Sequence, residues 1–183
     1  TKFDEDGLKD VVSKFFGTLR NVYNFFVLYS NQDDLDVANL ELAYEKRPEL
    51  DRWILSRYNK LVKEVREHMD SYDHMKTVRA LTDFVSEDFS NWYIRRARRR
   101  FYGSEMTEDK MSVYATSFEV LVGVSLLIAP FAPFISDEIY TKLTGEETVH
   151  TAYLPECNEA LIDNKVEERM ELVRSFVTLG RGA

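Results

Sequence analysis

Through nearly the whole chain, apolar residues return at intervals of three and four, the spacing that lines one face of an α-helix and not a strand. Leu8, Val11, Val12, Phe15, Leu19, Val22, Tyr23 and Phe26 form one such face and predict a first helix from about Gly7 to Ser30. A polar, acidic linker, Asn31 to Arg47, leads to Pro48, where a second helix can begin. Ile54, Tyr58, Leu61, Val62, Val65 and Met69 carry that helix to about Asp70. Asp73 is placed to cap a long third helix whose buried stripe is Val78, Leu81, Val85, Phe89 and Trp92, ending near Gly103. Thr107, followed by Glu108 and Asp109, starts a fourth helix that is apolar on nearly every side from Phe118 to Ile128, as a central helix must be.

Pro130 ends that helix, a fifth spans about Pro133 to Leu143, and Thr144-Gly145 stops it. Val149, Thr151, Tyr153 and Leu154 predict a short extended segment, and Val166, Met170, Val173 and Val177 a last helix from about Lys165 to Leu179. The expected fold is therefore all-α: an antiparallel bundle of about five helices over residues 1–145. An extended segment and a C-terminal helix follow over residues 146–183, within the same domain or as a small appendage. The shortage of turn residues agrees. Seven glycines and four prolines in 183 residues are roughly 6%, about half of average usage, and leave few places to break an element.

Several function classes drop out. The longest stretch without a charge, Val120 to Ile135, is interrupted by Ser125, Pro130 and Pro133 and is shorter than the ~18 to 20 apolar residues of a membrane span. Lys2 is followed by Asp4-Glu5-Asp6 and not by the apolar core of a signal peptide. A lone Cys157 suits a reducing compartment, so the chain reads as cytoplasmic. The missing start Met and the abrupt Gly180-Arg181-Gly182-Ala183 end suggest a piece of a longer chain. Three histidines, His68, His74 and His150, lie in no spacing known for nucleophilic catalysis, and the one Glu-x-x-His, Glu147 to His150, falls in a predicted loop. No catalytic and no metal-binding residue is assigned. No glycine-rich phosphate loop occurs either, so no cofactor is expected within these residues.

One segment stands apart. In SNWYIRRARRRFY, Ser90 to Tyr102, five arginines fall within six positions between aromatic residues. The segment carries +5 in a chain of net −8, which leaves −13 for the remainder. Such a local reversal of charge is the footprint of a polyanion site. Guanidinium donates in a planar fork that matches phosphate, and unpaired bases stack on rings and guanidinium planes. Arg95, Arg96, Arg98, Arg99 and Arg100 are accordingly candidate phosphate or base contacts, with Tyr93 and Tyr102 as stacking partners, and the pattern fits RNA better than duplex DNA. Trp92 lies on the buried stripe and reads as core. Asp83, Glu87, Asp88 and acids on other helices are competing partners for the arginines, which would make the run structural or the docking face for an acidic protein or a neighbouring domain.

Three stretches resemble the anticodon-binding domain of isoleucyl-tRNA synthetase: LDRWILSRYNKLVKEV (Leu50 to Val65), SEDFSNWYIRRARRRFY (Ser86 to Tyr102) and LIAPFAPFISDEIY (Leu127 to Tyr140). TVHTAYLP (Thr148 to Pro155) resembles the S-V-H-x-x-x-x-P element that follows the bundle in the class I synthetases for Ile, Leu and Val, and Arg169 to Ala183 resembles the family's next helix. The resemblance implies a bundle that docks on the anticodon arm of tRNA(Ile) and performs no bond chemistry itself. A separate catalytic domain of the same ligase, using ATP and Mg2+, would charge the tRNA, and further C-terminal elements would help read the anticodon. The equivalent domain of the valine or leucine enzyme is the alternative within that family. Lys110-Met111-Ser112 looks like the start of a K-M-S-K-S loop, but Val113-Tyr114 follows and the triplet sits in the first turn of a predicted helix. Neither membrane nor DNA is an expected partner.

Overall fold

The computed structural model of the chain describes residues 11–40 and 42–182, with side chains for 11–40 and 42–180. The start of the first helix near Gly7, with Leu8 on its apolar face, lies outside the described residues. From Val11–Phe16 the chain forms wide π-helical turns that run into α1, Gly17–Gln32. The acidic linker holds two short 3-10 turns, Val37–Asn39 and Tyr44–Lys46. After Pro48 comes α2, Glu49–Asp70, then α3, His74–Asp83. A π-helical stretch, Phe84–Ile94, and α4, Arg95–Phe101, continue α3 without a break. Then come α5, Glu108–Ile128, and α6, Pro133–Thr144. Last is α7, Asn164–Gly182.

The local signals act where they were read. The Asp73 carboxylate accepts the Lys76 N–H at 3.1 Å, and the Thr107 hydroxyl accepts the Lys110 N–H at 3.1 Å, each satisfying an orphan donor of a helix start. Pro133 opens α6, and Gly145, at φ 75°, closes it in the left-handed conformation that glycine adopts without steric cost. Among the described residues there is no strand. The segment expected to be extended holds a 3-10 turn, Val149–Thr151, because the Thr148 hydroxyl accepts the His150 N–H.

Successive long helices run antiparallel. Along α2, Asp51, Arg57 and Tyr58 meet Arg100, Asp88 and Phe84 in reverse order. α5 touches α1, α2, α3, α4 and α6 and is the central helix. It is long and apolar enough to cross a membrane by length and composition alone, being longer than the uncharged stretch suggests because it begins at Glu108. Most of it is buried between the other helices, which accounts for its apolar character. α7 lies along α2, where Glu167 takes the Ser56 hydroxyl and the Lys60 ammonium, and Arg169 meets Glu49.

From α3 to α4 the buried line is Thr77, Leu81, Val85, Phe89, Tyr93, Ala97 and Phe101, one residue in every four and none more than 2% exposed. In a straight α-helix such a line drifts by about 40° at each step, because four residues overshoot one turn of 3.6. The wide turns of Phe84–Ile94 absorb much of that drift and keep the line inward. Val78, expected on the buried stripe, is 42% exposed; Thr77 takes its place on the core line.

Candidate nucleic-acid interface

The line that buries Ala97 and Phe101 turns most of the arginine run outward: Arg95, Arg96, Arg98 and Arg99 are exposed, and Arg100 is mostly covered. Among the described residues Arg95, Arg98 and Arg99 form no ion pair. Of their upstream competitors, Asp88 is taken by Arg57 at 2.9 Å and Arg174 at 2.6 Å, and Glu87 accepts from the Asn91 amide.

Arg100 is different. Its two terminal nitrogens grip the carboxylate of Asp51 at 2.5 and 2.8 Å, and its Nε donates to Asp109 at 3.0 Å. Asp51 has no exposed surface, and the hydroxyls of Tyr93 (3.0 Å) and Ser112 also donate to it. A carboxylate so buried is tolerable only when paired and fully hydrogen-bonded, as this one is. Burial would lower the pKa of the guanidinium, but the hydrogen bonds and charge of Asp51 outweigh it and hold it above its ordinary value. Arg100 is thus a structural cation and not the open phosphate contact expected from the run. Tyr93 requires the same correction. It is fully buried, its hydroxyl is spent on Asp51, and burial together with that negative charge raises its pKa well above normal. No base can stack on it.

Tyr102 is 52% exposed and does offer a face. Its ring packs at 5.2 Å against Tyr29 of α1, and the Arg98 guanidinium lies 5.3 Å from the ring centre of Phe25, which itself meets Tyr29 at 4.9 Å. The surface therefore alternates cation and ring across two helices, α1 and α4, that run in the same direction. Phe25 and Tyr29 escaped the sequence reading, although two aromatic residues off the buried face of the first helix were the available signal. Arg96 sits 3.6 Å from the ring centre of Trp92, which is buried as expected and donates its Nε1–H to the Met170 sulfur at 3.1 Å. From α7, the Arg174 guanidinium lies 5.4 Å from the ring centre of the same Trp92.

Past the end of α4, Arg99, Arg100, Gly103, Ser104, Glu105 and Lys110 help to line a cleft of about 450 Å³. Lys110 is buried; its ammonium binds the Gly103 carbonyl and, at 2.6 Å, Asp33. The Lys110-Met111-Ser112 triplet thus holds the bundle together: Lys110 ties α5 to the end of α1, and Ser112 ties it to Asp51.

The chain can be set beside known proteins at this point. Residues 51–183 match the family model of the anticodon-binding domain of tRNA ligase. The chain is 45% identical to an isoleucine–tRNA ligase of Porphyromonas gingivalis and 44% identical to one of Bacteroides fragilis, over 97% of its own length and 16% of theirs. Against the enzyme of that name from Thermus thermophilus it is 42% identical over 100% of its own length and 18% of that protein. It spans about a sixth of the length of the relatives it matches. A helical bundle with an outward arginine helix, matched over most of its length by this family model, belongs to the anticodon-binding domain family of tRNA ligases.

Proposed function

We propose that this bundle holds the anticodon arm of tRNA(Ile) for an isoleucine–tRNA ligase. The observation that carries the reading is the surface of α4 and α1, where the exposed Arg98 lies over Phe25 beside the Tyr102–Tyr29 pair, and Arg98 and its exposed helix neighbours Arg95 and Arg99 form no ion pair among the described residues. Guanidiniums on that surface meet backbone phosphates, and the rings receive unstacked loop bases. The bundle contributes position and no bond chemistry. Binding energy gathered at the anticodon arm orients the distant acceptor end and lowers the entropic cost of the transfer step. In the parent, ATP with Mg2+ would be used by a catalytic domain, further C-terminal elements would share the anticodon contact, and the whole would work in the cytoplasm.

Fluorescence anisotropy of the chain with a labelled isoleucine tRNA transcript and an anticodon-swapped copy, at two salt concentrations, tests this. Salt-sensitive binding that favours the native anticodon is the expected result. Equal binding to both would reduce the surface to a phosphate holder, and no binding at low salt would refute the reading.

A further inference from the structure

α4 is the seven-residue end of a continuous helix whose preceding stretch is π-wound, so regular α-helical winding alone does not set the angle at which its arginines emerge. Two kinds of contact reach it from the core. Ala97 and Phe101 are apolar, and burial of apolar surface is non-directional. The Arg100 fork on Asp51 is planar and bidentate, which fixes an angle as well as a distance. Asp51 is itself immobilised: it lies in the first turn of α2, has no exposed surface, and also accepts the hydroxyls of Tyr93, from the π-helical stretch, and Ser112, from α5.

We propose that Asp51 is a positioning residue for the RNA contact: buried and unable to touch a ligand, it holds Arg100 so that Arg98 stays on the aromatic strip of α1 and Arg95 and Arg99 stay outward on the same helix. The proposal rests on the RNA reading given above. It makes a prediction opposite in sign to simple electrostatics. Removing a negative charge next to an arginine helix should tighten RNA binding by Coulomb's law, whereas loss of the angular constraint should loosen it.

The test measures affinity and its salt dependence for an isoleucine tRNA transcript, with folding of each variant checked by circular dichroism and thermal melting. Asp51→Asn keeps the size of the side chain but removes the carboxylate. Asp51→Asn/Arg100→Gln removes both charges, leaves no buried unpaired cation, and keeps the proposal testable if the single variant folds poorly. Binding about tenfold weaker in the folded variant, with a salt slope lower by roughly 0.7 to 0.9 for each arginine withdrawn from phosphate, is the expected result. Affinity equal to or tighter than that of the unaltered chain would overturn the proposal. Arg95→Ala/Arg99→Ala separates the two levels of argument: if it leaves binding intact, the RNA surface itself has been misplaced, whatever Asp51 does.

Discussion

Arg95 and Arg99 lie four residues apart on one face of α4, both exposed and neither in an ion pair among the described residues. Replacing both with alanine therefore removes two cations that the fold does not use. Surface changes of this kind stay within about 0.5 kcal/mol of the original stability, and relief of the like-charge pair at i, i+4 pushes toward stabilisation. Binding should behave quite differently. Each guanidinium seated on a phosphate contributes about 0.7 to 0.9 to the slope of log affinity against log salt, so the double variant should lose roughly 1.4 to 1.8. Over a fourfold change in salt, from about 50 to about 200 mM, the gap between variant and parent then narrows by roughly tenfold. Anisotropy titrations along a salt series, with thermal melts run in parallel, read both quantities. Weaker binding with an unchanged slope would refute the assignment of these two arginines to phosphate. Unchanged melting with unchanged binding would refute the surface altogether. Arg100→Ala serves as the contrasting control on the same helix: it strands the buried Asp51 carboxylate and should cost about 3 to 5 kcal/mol of folding stability.

Two further predictions concern the frame behind the surface. A methyl group added at Gly123 would lie 2.0 Å from Tyr58 Oη and 2.3 Å from its Cζ, and the ring is backed by Phe84 at 6.4 Å, so Gly123→Ala should destabilise by about 1 to 3 kcal/mol less the ~1 kcal/mol gained in helix propensity. Differential scanning calorimetry should show a lower melting temperature, and a rise would mean that the Tyr58 ring yields freely. Acid sensitivity should trace in part to Asp33, whose carboxyl is pushed up by burial but held below its ordinary range by the Lys110 and Tyr114 hydrogen bonds. Because its folded pKa lies below the unfolded value of about 3.9, the contribution is complete above that pH and is lost as pH falls through the folded pKa. Denaturant unfolding as a function of pH should decline more steeply below about pH 4 in the unaltered chain than in Lys110→Met, and equal declines would refute the link.

Helix starts and stops were legible because their causes are local. Asp73, Thr107, Pro133 and Gly145 each act within three or four residues of where they stand. Most arginines on the surface followed from the same kind of reading, since the run exceeds what one helix face can bury. Tyr93 and Arg100 did not follow: Tyr93 lies on the inward line of every fourth residue, and the carboxylate that takes its hydroxyl and draws Arg100 inward is Asp51, more than forty residues away along the chain. Phe25 and Tyr29 were hidden for the matching reason: their partners, Phe101 and Tyr102, come from another helix. The π-helical stretch was present in the sequence as a strict spacing of four from Thr77 to Phe101, but a template of threes and fours accepts that spacing without noticing that the threes are missing.

That spacing gives the helix a reserve of length. Six steps of four residues exceed whole α-helical turns by about 240° in all, the rotation contributed by between two and three residues. The stretch Phe84–Ile94 is thus wound as though extra residues had been let into an ordinary α-helix. A deletion at exposed Asn91 would relax the winding while Ala97 and Phe101 still faced the core. The same deletion at Arg96 would carry Arg98 into the place of Ala97, which has no exposed surface, and bury a guanidinium where the fold holds a methyl group. Variation in length is therefore affordable upstream of Arg95 and prohibited between Arg95 and Phe101, on a helix with no visible seam between the two.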